Sequence, residues 1–244
     1  MSKEAATRDI HIFPLNTVLF PDGVLPLKIF EQRYLDMTKA CLRDNAPFGV
    51  CLIREGSEVG RPAVPHPVGT VATITQWDMP QLGLFHLETR GGARFRVLET
   101  QVSTNGLVSG RVEILSEDAA AEMDEACQQV LKAIIDKAGA QHFPAPLRID
   151  DPAWVSYRLA EVLPLELPAR QALLEMDEPA ERFGRLREVL IRPGPPPRAV
   201  EIRRLPSRPA PCIDCRTVIG DDRQGDDMHE EILATGAEPA ASQA

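Results

Sequence analysis

Cys212-Ile213-Asp214-Cys215 is the one spacing in this chain that suits a metal ion. Two thiolates at that interval can share zinc, but a tetrahedral site takes four ligands. Only His229 follows within reach. Cys212, Cys215 and His229 therefore form an incomplete set, and solvated tail thiols are the expectation, with no metal or other cofactor. A nucleophilic site needs Ser or Cys beside a base. No GxSxG elbow is present, and Cys41, Cys51 and Cys127 lie inside apolar patterns, where a reduced thiol behaves as a small hydrophobe. His11, His66, His86 and His142 are dispersed. Alternation with Phe85 and Leu87 places His86 on the outer face of a strand. Asp150-Asp151 reads as a helix cap. No two groups converge, so no catalytic function is expected.

Two segments could bind rather than react. Arg94 and Arg96 alternate with Ala93, Phe95 and Val97, and period-two reasoning puts both arginines on the solvent face of a strand. The segment from Phe20 to Phe30 is the stronger candidate. Pro21 and Pro26 lack the amide hydrogen that a central strand must donate, which points to a sheet edge. Phe20, Leu25, Leu27 and Phe30 are the candidate peptide-binding residues, because an open edge flanked by apolar side chains can accept an extended peptide as an added strand.

The bulk composition limits what these residues could serve. With 244 residues, 43% hydrophobic and 26% charged, most of the chain suits a folded, soluble protein. Aromatics at 5% leave the core to aliphatic side chains. The formal charge of -9 argues against a nucleic-acid groove, whose affinity comes from cationic side chains displacing counterions. The polar start has no apolar leader pattern, and no run approaches the ~20 apolar residues that span a bilayer. Five cysteines without framework spacing fit a reducing compartment, so a cytoplasmic location is expected, without membrane contact.

Positioning these residues falls to a β-rich first part and a helical second part. Residues 1–9 read as an N-terminal arm. Residues 10–115 read mostly as strands, with one early helix where Tyr34, Leu35, Thr38 and Leu42 recur at helical spacing. Strands are expected over Val68–Trp77, Leu84–Thr89, Ala93–Val102 and Leu107–Leu115. Asp78–Gly83, Gly91-Gly92 and Asn105-Gly106 supply the turns. Such consecutive short connections predict an antiparallel meander closed into a small barrel. Residues 116–192 carry helical stripes. Gly139 sits at a C-terminal cap, Asp151-Pro152 opens a second helix, and Asp177 is expected to cap the last. They predict a small bundle. From 193 to 244, clustered prolines, arginines and aspartates without periodicity predict a disordered tail.

Several segments, in order, resemble the N-terminal substrate-binding domain of Lon proteases. Phe13-Pro14-Leu15-Asn16-Thr17-Val18-Leu19-Phe20-Pro21 followed by Leu25-Pro26-Leu27 is similar to that family's opening signature. Ile29-Phe30-Glu31-Gln32-Arg33-Tyr34 is similar to its stand-alone members. Phe48-Gly49-Val50, Gly92-Ala93-Arg94-Phe95-Arg96-Val97, Leu163-Pro164-Leu165 and Arg170-Gln171-Ala172-Leu173-Leu174-Glu175 fit later parts. The resemblance implies an α+β fold: a PUA-like antiparallel β-barrel with one early helix, then a small C-terminal helical bundle. It implies a partner class of unfolded or degron-bearing polypeptides, with adaptor or holdase roles in view. An RNA-binding PUA-like module is the alternative, and a homodimer stays open. Gly-Lys occurs nowhere in the chain, so the P-loop of a Lon ATPase is missing. The purified chain is expected to hydrolyse no ATP and cleave no peptide. Phosphate release that follows the protein through successive columns would overturn this.

Overall fold

The computed structural model describes residues 6–116 and 121–191, which fall within one compact unit. Among these residues, seven strands form a single sheet. Strand β1 (Thr7–Leu15) pairs antiparallel with β7 (Val108–Ile114), Thr7 opposite Glu113. It also pairs parallel with β3 (Phe48–Glu55), Ile12 opposite Gly49. The order β1–β7–β6–β5–β3 therefore returns to β1, with β5 spanning Val68–Gln81 and β6 Leu84–Val102. The short β4 (Val64–Pro65) adds to β3, and β2 (Val24–Ile29) pairs with β6. The parallel β1–β3 pair departs from the antiparallel expectation. The connection between them carries β2 and the helix α1 (Gln32–Asp44), long enough for the crossover that parallel pairing needs.

Ile12 to Leu15 are buried consecutively rather than alternately, because β1 is covered on both faces. Ile12 packs with Cys51, Phe95, Val108 and Val112. Phe13 packs with Tyr34 at a 4.1 Å ring separation and with Phe48 at 6.3 Å.

Gly91-Gly92 does not form the expected hairpin turn. It lies inside the 19-residue strand β6. Thr70 faces Arg94 while Ala72 faces Gly91, so two residues of β6 bulge against one of β5. A Cβ on Gly91 would sit 2.2 Å from the Phe20 carbonyl oxygen. The Gly91 amide donates to Gly23 O and its carbonyl accepts from Asp22 N, both at 2.8 Å. The glycine is needed for backbone approach, not for a turn. The turns occur at Leu82-Gly83 and at Asn105-Gly106, where Gly83 and Gly106 adopt φ of 81° and 83°.

The structure also corrects the expectation for Arg94. Phe95 and Arg94 are both buried, whereas Arg96 is exposed. Arg94 donates to the carbonyls of Leu174 and Met176, each at 2.9 Å, and pairs with Asp177 at 3.0 Å. Arg94, Phe95 and Arg96 pair in unbroken register with Thr70, Gly69 and Val68, so both arginines do point away from Phe95, but helices cover that face at Arg94.

Helix α2 (Glu125–Ala138) opens where Asp124 accepts from Cys127 N and ends at Gly139, φ 97°. Helix α3 (Pro152–Val162) opens on Asp151, whose carboxylate accepts from Ala153 N and Trp154 N. Helices α4 (Leu167–Glu175) and α5 (Pro179–Ile191) follow. Asp177, expected as a cap, pairs with Arg94. Leu131, Val155, Leu159, Leu174 and Leu186 from the helices share one core with Val18, Phe20, Leu52 and Val68. Gly91→Ala is expected to lose at least about 2 kcal/mol more stability than Gly92→Ala, whose Cβ would meet nothing nearer than 3.5 Å. Urea unfolding of the two variants measures the difference.

Candidate functional site

Val24-Leu25-Pro26-Leu27-Lys28-Ile29 forms β2, and among the described residues it pairs only with β6. Leu25 lies opposite Thr89, Leu27 opposite Leu87 and Ile29 opposite Phe85. The Gly91 amide already donates to Gly23 O, and hydrogen-bonded pairs recur at every second residue of an antiparallel ladder. The main-chain groups of Leu25, Leu27 and Ile29 therefore face β6, while those of Val24, Pro26 and Lys28 face away. Pro26 offers a carbonyl but no donor. This open edge offers the carbonyls of all three residues and the amides of Val24 and Lys28.

A cleft of about 220 Å³ runs beside this edge. Leu25, Leu27 and Phe30 line one part of it, Phe13 and Tyr34 another, and Glu58 and Val59 a third. Phe30 and Val59 are 59% and 58% exposed, apolar surface left uncovered at the cleft. Glu31 is neutralised by Arg33 at 2.9 Å, and Arg33 also donates to Gly106 O. The Glu58 carboxylate accepts from Asn16 N. Burial pushes the Tyr34 phenol above its ordinary pKa, Arg33 pulls it back, and Glu31 and Glu58 raise it further. Both carboxylates thus act on the cleft wall.

The structure separates the four sequence candidates. Phe20 is fully buried in the helix-side core, its ring 5.6 Å from Tyr157. Leu25 is buried in the sheet core but touches the cleft, Leu27 is half-buried there, and Phe30 is exposed. Glu58 and Val59 escaped sequence reasoning, because a valine between polar residues in a loop carries no periodic signal.

A second cleft, of about 480 Å³, lies where Asp22, Gly91 and Gly92 meet Arg148, Trp154 and Tyr157. Its charges are satisfied internally: Asp22 pairs with Arg90 at 3.0 Å and with Arg148, which also reaches Asp151 at 3.6 Å. Burial raises the thiols of Cys41 to about 11 and Cys127 to about 12, and pushes Cys51 up as well. These thiols are poor nucleophiles at neutral pH. Cys212, Cys215, His229 and the whole 193–244 tail lie outside the described residues. Among the described residues no three His, Cys, Asp or Glu side chains group to hold a metal, and no helix is long and apolar enough to cross a membrane.

Residues 9–192 match the family described as the ATP-dependent protease La (LON) substrate-binding domain. The chain belongs to the Lon substrate-binding domain family. The match covers that domain and not an ATPase or protease domain. A Lon N-terminal domain protein from Xanthomonas campestris superposes with a TM-score of 0.63 at 35% identity, covering 74% of this chain and 98% of that one. The N-terminal domain of a Mycobacterium avium complex Lon protease shares the fold at 17% identity and a TM-score of 0.54, covering 75% and 97%. Lon protease 2 of Myxococcus xanthus is 32% identical over 124 residues, half of this chain and 15% of the relative. For Lon protease 2 of Syntrophobacter fumaroxidans the figures are 29% over 188 residues, 73% and 24%. This Lon-domain chain therefore spans a quarter or less of those proteases.

The different surroundings of two phenylalanines give a test of the site's anatomy. Phe30→Ser is expected to change stability by less than about 0.5 kcal/mol, whereas Phe20→Ala should cost about 3–5 kcal/mol. Thermal or urea unfolding reads both. Equal losses would mean that Phe30 is not the exposed wall of the cleft.

Proposed function

We propose that this protein is a non-catalytic polypeptide-binding module that accepts extended segments of unfolded or degron-bearing chains along β2, as an adaptor or holdase in the cytoplasm. In this reading the cyclic strand order is a PUA-like β-barrel, and the helices after it form the bundle that braces it. Support comes from the family's description as a substrate-binding domain. The observation that carries the reading is an unpaired strand edge beside an apolar cleft with Phe30 and Val59 uncovered. Strand addition uses both features: main-chain hydrogen bonds hold the segment, and alternate side chains enter the cleft. An unfolded client has free backbone and free apolar side chains, which a folded protein withholds. Affinity should be in the micromolar range, since ordering a flexible client costs free energy. It should fall only modestly with salt, because most of the attraction is apolar and main-chain.

A titration of the full chain with an unfolded model protein and with single-stranded RNA, at low and high salt, tests this. Micromolar, weakly salt-dependent binding of the unfolded protein is expected, and Phe30→Ser should weaken it severalfold. Tighter and steeply salt-dependent RNA binding would replace the reading with the RNA alternative. Binding to neither would overturn it.

A further inference from the structure

We propose that the β2 cleft prefers extended segments in which an apolar residue stands close to a lysine or arginine, and that Glu58 reads the cation. The proposal rests on the polypeptide-binding reading and adds a charge requirement to it. Two carboxylates line the cleft, and they differ in how they are satisfied. Glu31 has Arg33 at 2.9 Å, and Arg33 is only 6% exposed, so that charge is matched inside the protein. Glu58 has no ion-pair partner among the described residues. It is nonetheless held in place, because one carboxylate oxygen accepts from the Asn16 amide. Its other oxygen has no partner among the described residues. A carboxylate fixed by the backbone loses less freedom on capturing a ligand cation than a swinging side chain would.

Its setting matches the rest of the cleft. Val59 follows Glu58 directly, lines the same cleft and is 58% exposed, while Phe30 offers a second apolar surface. In an extended segment, side chains two residues apart point the same way, about 7 Å along. An apolar residue followed at that interval by Lys or Arg would bring one group to the apolar wall and the other toward Glu58. Among the described residues, Lys28 is the one cation lining the cleft. It sits on the strand itself, whereas Glu58 lies on the facing wall beside Val59, and Glu31 is already matched by Arg33. The unmatched charge on the apolar wall is therefore Glu58's, which complements a cation placed beside an apolar side chain.

The test uses labelled extended peptides identical except for one position, two residues from an apolar anchor, which is Lys, Gln or Glu. Binding to the full chain is followed by fluorescence anisotropy. The Lys peptide is expected to bind roughly threefold to fivefold more tightly than the Gln peptide, as a partly exposed ion pair should, and the Glu peptide more weakly than either. Glu58→Gln keeps an oxygen to accept from Asn16 N, so the loop should hold. It should erase the Lys-over-Gln preference. Glu188→Gln changes net charge equally on the remote helix α5, where Glu188 is 57% exposed, and should preserve the preference. A Lys preference that survives Glu58→Gln would overturn the proposal by tracing the effect to overall charge. Equal binding of all three peptides would also overturn it while leaving the polypeptide reading intact. If none of the peptides bound, the polypeptide reading itself would fall, and this proposal with it.

Discussion

The structure depends on a stretch of main chain that runs through its interior. From Leu19 to Gly23 the backbone is buried or half-buried between sheet and helices, where an unpaired carbonyl or amide is costly. Each part of the turn finds a partner from a different element. Leu19 O accepts from Thr70 Oγ1 on β5 at 2.6 Å, and Pro21 O accepts from Arg158 on α3 at 2.6 Å. Asp22 N and Gly23 O bond with Gly91 on β6. Phe20 O closes the turn by accepting from Gly23 N at 2.9 Å. Because β2 begins at the next residue, the orientation of its open edge follows from how this turn is held.

Buried arginines extend the same solution across the helical half. Arg94 serves the carbonyls of Leu174 and Met176, Arg182 also serves Met176, and Arg158 serves Pro21. The carbonyls at the end of α4 lack intrahelical donors, and guanidinium groups supply them from a strand and from α5. Arg182 also stacks on Tyr157 at 4.1 Å and donates to Ser156 Oγ. A guanidinium is the group suited to this work, having five donors in a fixed fork and weaker hydration than an ammonium.

Local grammar was legible and long-range partnership was not. Asp151-Pro152 and Gly139 mark helix ends by residue chemistry alone, and the structure places caps there. The early helix and the turns at Gly83 and Gly106 were readable for the same reason. Gly91-Gly92 was misread because a glycine pair suits a turn and a bulge equally. What decides between them is the Phe20 carbonyl, far away in sequence. The reading of Arg94 failed for a similar reason: alternation gives the face of a strand but not what covers it, and here the cover comes from Leu174, Met176 and Asp177. At the candidate site, Pro26 marked β2 as an edge, and Leu25, Leu27 and Phe30 line the cleft beside it. Phe20 belongs to the same apolar run, and hydrophobicity alone does not separate a core ring from a surface one. Glu58 and Val59 became visible only when folding brought their loop to the edge.

Strand β6 pairs with β2, β5 and β7, so most of the sheet uses it as a template. Among the described residues, strand β1 finds its antiparallel partner only in β7. On a ribosome the order of emergence runs against this architecture. The earliest apolar segments must wait while the residues that will pair them are still being made, and such distant pairings also form slowly. For that interval β1 is an apolar segment without its antiparallel partner, in reach of whatever quality-control machinery attends nascent chains.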